Sequence, residues 1–144
     1  MQAVSVDTDI LARAPLGDDL EQQGLAIALL DAASKGPGRV VSAFAVLEMA
    51  WVLRSRKIPR RGIVQVIRTL LDAEGVTVTP SEILHRALER FENGKSDLGE
   101  CLIQADGQAA GAQPFATFDR IPQEEGWGVP PHPPALPTLN HAPR

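Results

Sequence analysis

Short apolar runs alternate with longer stretches of helical periodicity along this chain. Residues 3–6 (Ala3, Val4, Ser5, Val6) are apolar and stop at Asp7, Thr8 and Asp9, which predicts a buried strand ending in a polar turn. A helix is expected over about 21–34, with Leu25 and Leu29 on one face, broken by Gly36, Pro37 and Gly38. Residues 39–42 read as a second strand, with Ser42 as N-cap of a helix over about 43–54 that carries Phe44, Leu47, Trp51 and Val52 at helical spacing.

Beyond Pro59 the stripe Ile63, Val66, Ile67, Leu70 and Leu71 predicts a helix over about 60–74, ended by Gly75. Residues 76–78 are a strand candidate, and Pro80 and Ser81 open a helix that closes at Asn93 and Gly94. Ser96 is placed to cap a helix reaching about Ala110, with Leu98, Cys101, Leu102, Ala105 and Ala109 inward. The last strand candidate, 115–118, follows Pro114, which has no N–H to give a ladder, and ends in Asp119. Strands alternating with helices predict an α/β domain with a parallel sheet.

Composition narrows the picture. A chain of 144 residues buries a sufficient single core, and its one cysteine, Cys101, excludes an internal disulfide and a cysteine-rich zinc module. That usage fits a reducing compartment, and no stretch reads as a membrane span or a signal peptide, so a cytoplasmic protein is expected. Seven of the twelve prolines lie from Ile121 onward, where periodicity fades. The expected division is a folded domain over 1–121 and a proline-rich tail over 122–144, extended and poorly packed from Gly126. His132 and His141 in that tail have no metal-ligand spacing.

The formal net charge of −4 argues against a protein that coats nucleic acid non-specifically. Between Met49 and Leu71, however, stand Arg54, Arg56, Lys57, Arg60, Arg61 and Arg68 without one acid. The run reads equally as a solvated helix end or a polyanion contact.

Five acids draw attention. Asp7 and Asp119 each follow a short apolar strand, where parallel sheets bind ligands, although an Asp there also caps the next helix or turn. Glu48 has Phe44, Leu47, Trp51 and Val52 for neighbours, which places it on or beside the apolar stripe; it either finds a partner there or reaches water from the stripe's edge. Asp97 and Glu100 share one side of a helix's first turn, a position the helix dipole favours for acids in any case. If the five converge, their repulsion calls for divalent cations, and oxygen-only ligands point to Mg²⁺ or Mn²⁺. Such a site activates water and stabilises the charge of phosphodiester hydrolysis.

Val6-Asp7-Thr8-Asp9-Ile10-Leu11, Leu47-Glu48-Met49-Ala50-Trp51-Val52-Leu53, Asp97-Leu98-Gly99-Glu100-Cys101-Leu102-Ile103 and Ala116-Thr117-Phe118-Asp119 together resemble the successive acidic motifs of PIN-domain ribonucleases, most closely bacterial toxins of the VapC type. The resemblance covers about 4–120. It implies a three-layer α/β/α sandwich around a central parallel sheet and an RNA-cleaving site dependent on Mg²⁺ or Mn²⁺. By position it implies catalytic roles for Asp7, Glu48, Asp97, Glu100 and Asp119, with the metal held by Asp7, Asp97, Glu100 and Asp119. Thr117 takes the small hydroxyl position of the last motif, and the helical hairpin around 58–68 is then a natural place for RNA or partner contact; Arg54, Arg60 and Arg61 are the expected grip on the RNA backbone. The resemblance further implies a homodimer neutralised by a small antitoxin. Glu100 stands where the family has Asp, and Asp9 where it often has Asn.

Two other classes remain open on the residues alone. One is a PIN-like module whose acidic pocket is degenerate and which only binds. The other is an aspartyl-phosphate phosphatase built on Asp7 and Asp9, which lacks the following Thr pattern and a later lysine.

Overall fold

A computed structural model of the chain describes residues 2–131. Three strands, β1 (Val4–Ser5), β2 (Arg39–Ser42) and β3 (Val76–Thr79), pair in parallel in that order, with Ser5 opposite Val40 and Val41 opposite Val78. Two helices, α1 (Thr8–Leu16) and α2 (Leu20–Asp31), connect β1 to β2; α3 (Ala43–Ser55) and α4 (Arg60–Asp72) connect β2 to β3. Helices α5 (Ser81–Asn93) and α6 (Leu98–Ala109) follow as a pair packed on one another. The architecture is the expected one, a parallel sheet flanked by helices.

The core forms where strand ends and helix stripes meet. Val6, Val41 and Val78 are buried at or just past the carboxyl ends of the strands. On α5, Leu84, Ala87, Leu88 and Phe91 fall at i, i+3, i+4 and i+7, one face of the helix, and all are buried. Full burial of a leucine such as Leu84 or Leu88 contributes about 1.5–3 kcal/mol. On α4 the buried residues are Ile63, Val64, Ile67 and Leu70, at i, i+1, i+4 and i+7, again one side of the helix.

Several expectations need correction. Helix α1 replaces the polar turn read at Asp7 to Asp9. Asp7 caps it, and Pro15 is tolerated in its last turn, where Gly17 takes the left-handed conformation that stops it (φ 65°). On α3 the buried face is Ala45, Val46, Met49, Ala50 and Leu53, while Phe44 is 79% exposed and Trp51 55% exposed. The two alanines let that face lie close against the sheet and α1, so the helix turns its aromatics outward. On α2, Leu25 is exposed and Ala26 is the buried residue. Ser96 does not cap α6; Asp97 does, and Ser96 is buried behind it.

The boundary expected at 121 falls inside a short helix, α7 (Arg120–Glu124). Beyond it β5 (Gly128–Val129) pairs in parallel with β4 (Phe115–Ala116), which begins directly after Pro114. The chain is therefore packed past Gly126: Trp127 lies partly buried against the core and stacks on Phe115, ring centroids 5.5 Å apart. Two large aromatic surfaces supply the burial that the fading periodicity hid. The expectations for residues from 132 on, His132 and His141 included, lie outside the described residues.

Two buried features hold the layers in place. Arg39 on β2 is buried, with Nε donating to the Leu29 carbonyl at 2.9 Å and Nη1 donating to the Pro37 carbonyl, so its charge ties α2 to the sheet. Gly75, at φ 81°, precedes β3; a Cβ there would stand 2.2 Å from the Ala33 carbonyl oxygen. Only glycine permits that approach.

Candidate functional site: an acid pair at the start of α6

Three acids meet where α6 begins. Asp97 is in extended conformation, and its Oδ1 accepts the Glu100 N–H at 2.8 Å, a capping bond that fixes both residues on one helix turn. Leu47 of α3 lies against Gly99 between them; a Cβ at Gly99 would be 3.6 Å from a Leu47 methyl. The small residue lets α3 sit close to the acids.

Asp119 arrives from the C-terminal segment on a turn built by Thr117. The Asp119 N–H donates to Thr117 Oγ1 at 3.0 Å, and Asp119 Oδ1 accepts the Ile121 N–H at 2.9 Å, capping α7. Thr117 is itself anchored: its N–H donates to the Val129 carbonyl at 3.0 Å, and Gln123 Nε2 donates to its own carbonyl at 2.8 Å.

The side chains of Glu100 and Asp119 approach closely enough to hydrogen-bond when Glu100 is protonated. Glu100 is pushed up to about 7, first by burial, then by that bond, then by the charges of Asp97 and Asp119. Asp119 is held below its ordinary value by the Ile121 N–H and by the proton Glu100 donates. Two carboxylates this close resist ionising together; a proton on Glu100 relieves them, and so would a cation.

Asp7 and Glu48 stand apart. Asp7 is exposed, and its Oδ1 accepts the Thr8 N–H at 2.8 Å at the carboxyl end of β1. Glu48 is exposed on α3 with Phe44 and Trp51, while its other apolar neighbours, Leu47 and Val52, are partly buried against the core. The charges acting on Glu100 are those of Asp97 and Asp119. Among the described residues, no group of three or more His, Cys, Asp or Glu side chains surrounds a point that could hold a metal ion. The structure thus places Asp97 and Asp119 near Glu100, without a cluster of three ligands among the described residues.

The basic run divides in a way its composition concealed. Arg60, one of the residues implied to grip RNA, donates to the carbonyls of Phe91 at 2.8 Å and Ser96 at 2.7 Å, with its guanidinium carbon 4.1 Å from the Phe91 ring centroid. It clamps α4 to the end of α5. Arg56 pairs with Asp18 at 2.9 Å and Arg68 with Glu92. Among the described residues, Arg54, Lys57 and Arg61 make no ion pair and are exposed. No described helix is long and apolar enough to cross a membrane.

A polar cleft between α5, α6 and the C-terminal segment, bounded by Arg90, Gln104, Gln108 and Trp127, was not expected. Its one sequence signal is that Gln104 and Gln108 continue the four-residue spacing of Glu100 along α6.

No protein-family model matches the chain, and no curated protein does. Among solved structures, the chain is similar to the Mycobacterium tuberculosis toxin VapC20, described as Sarcin-Ricin loop cleaving, with 21% identity over 87% of this chain and 96% of that one, at a TM-score of 0.40.

Proposed function

We propose that this chain is a divalent-metal-dependent endoribonuclease, working as the toxin of a toxin–antitoxin pair. The observation that carries the reading is the close approach of Glu100 and Asp119, with Asp97 beside Glu100. Two acids held in contact by separate elements gain nothing structurally from their proximity; a site for a dication makes use of it. Glu100, Asp119 and Asp97 would hold Mg²⁺ or Mn²⁺, with Asp7 at the carboxyl end of β1 as the outlying ligand. A dication bound there would supply a water of lowered pKa and offset charge on the phosphate.

The chain's own residues set the conditions. Glu100 must release its proton before the pair carries full charge, so the site is competent above the Glu100 titration. Thr117 and the Ile121 N–H keep Asp119 aimed at Glu100, and the Asp97 cap keeps Glu100 on the first turn of α6. Arg54 and Arg61, exposed and unpaired among the described residues, are the available contacts to an RNA backbone. A cytoplasmic homodimer held inactive by a small antitoxin belongs to the same reading and rests on the motif resemblance.

The test is cleavage of a structured RNA by purified protein with Mn²⁺ or Mg²⁺, against EDTA, Asp7→Asn and Asp119→Asn. The expected result is cleavage that needs both the metal and Asp119, with the fold unchanged in either variant. Cleavage indifferent to EDTA and to both variants would overturn the reading. A binding module with a degenerate pocket is the second reading, favoured by the shortage of converging ligands around Glu100. It expects folded protein, no cleavage, and no metal-induced shift in melting temperature.

A further inference from the structure

Glu100, Gln104 and Gln108 follow one another along a single face of α6, each step advancing about 6 Å. The first belongs to the acid pair. The other two line adjoining cavities of about 680 Å³ and 470 Å³, which Arg90 and Trp127 also border. The guanidinium carbon of Arg90 lies 4.5 Å from the Trp127 ring centroid, and the Trp127 ring stacks on Phe115 at an interplanar angle of 23°. Arg90 Nη1 is buried, with no hydrogen-bond partner among the described residues.

The walls of the larger cavity are balanced in charge, Arg86 and Arg90 against Glu89 and Glu125. Arg86 is paired with Glu82 at 2.9 Å, and Glu125 accepts from Trp127 Nε1 at 3.0 Å and from the Lys95 N–H at 2.9 Å. A phosphate gains little from such a wall. A flat neutral ring with carbonyl and ring-nitrogen acceptors gains much more, because Gln104 and Gln108 offer donors and acceptors side by side and Arg90 has an unspent donor. Aromatic and guanidinium planes are the surfaces on which unstacked bases settle.

We propose that this cleft is a nucleobase subsite that reads a base of the RNA beside the phosphodiester cut at the Glu100–Asp119 pair. The choice of ligand rests on the ribonuclease reading above. Base selection is made by the amides of Gln104 and Gln108, and Arg90, held over Trp127, supplies the donor.

The experiment uses the full chain carrying Trp51→Phe, so that Trp127 is the sole tryptophan, in EDTA. AMP, CMP, GMP, UMP and ribose 5-phosphate are titrated to millimolar concentration while tryptophan emission is recorded. The expected result is saturable quenching by at least one nucleotide and none by ribose 5-phosphate. Combined Gln104→Ala and Gln108→Ala, both on the outer side of α6, should weaken that nucleotide at least tenfold and broaden the base preference next to the cut. No response to any nucleotide, a response matched by ribose 5-phosphate, or quenching unchanged in the double variant would each overturn the subsite. Because binding is read without metal, quenching without cleavage upholds the subsite while the nuclease reading falls; cleavage without quenching removes the subsite alone.

Discussion

Glu100 and Asp119 approach within hydrogen-bonding reach, and the contact raises Glu100 and lowers Asp119, so one residue of a helix's first turn and one residue of a C-terminal turn are linked in their titration. Every element that positions the candidate site can be traced to that contact. The Asp97 cap fixes the Glu100 side, and Thr117 with the Ile121 N–H fixes the other.

The pair has a consequence for stability. Glu100 rises from 4.5 in the unfolded chain to about 7 in the fold, so between those values the folded protein holds a proton that the unfolded chain has lost. Its contribution is fully present below the unfolded value and disappears as pH rises through about 7. The depressed Asp119 acts in the opposite sense, contributing above the ordinary carboxylate range and losing that contribution on acidification. Melting temperature measured from pH 5 to pH 8 or so should therefore fall across the Glu100 titration, and Glu100→Gln should flatten that fall. An unchanged slope in the variant would place the titration elsewhere.

If the pair takes a dication, Mg²⁺ or Mn²⁺ should raise the melting temperature, and more at pH 8 than at pH 5, because the metal competes with the proton on Glu100. Asp119→Asn should abolish the shift. Calorimetric titration of metal into both proteins at the two pH values checks this directly.

Arg60 and Arg61 are adjacent and should behave oppositely. Arg60→Ala removes two charge-assisted bonds to carbonyls and the contact with Phe91, and should destabilise by about 2–4 kcal/mol in urea unfolding. Arg61→Ala should change stability by less than about 0.5 kcal/mol and, in RNA binding, reduce the slope of log affinity against log salt by about one.

Gly75→Ala should be among the most damaging single changes away from the site. The positive φ and the 2.2 Å approach to the Ala33 carbonyl together predict a loss of at least about 2 kcal/mol. Denaturant midpoints of the purified variant decide it.

Much of this fold is legible in local pattern. The residues of β2 and the helices α4 and α5 follow directly from apolar spacing, and Ser42 caps α3 as expected, its Oγ accepting the Phe44 N–H at 3.1 Å. What stayed hidden depends on tertiary competition. Phe44 and Trp51 were the larger apolar residues of α3, yet alanines won its buried face because close approach mattered more than side-chain area. At the site, capping and convergence were treated as rivals, and Asp97 and Asp119 do both: each caps a helix while meeting Glu100. Arg60 shows the reverse limit, since nothing in a basic run reveals which guanidinium will be spent on carbonyls.

The anchoring of Thr117 to Val129 sets the order in which the acid pair can be completed during synthesis. The sheet, six helices and Glu100 are all encoded before Asp119, and the turn that presents Asp119 is fastened only when β5 reaches β4. A nascent chain emerging from a ribosome, an RNA machine at close range, is therefore well folded before its acid pair exists. The Glu100–Asp119 contact is secured only once the last described strand has been made.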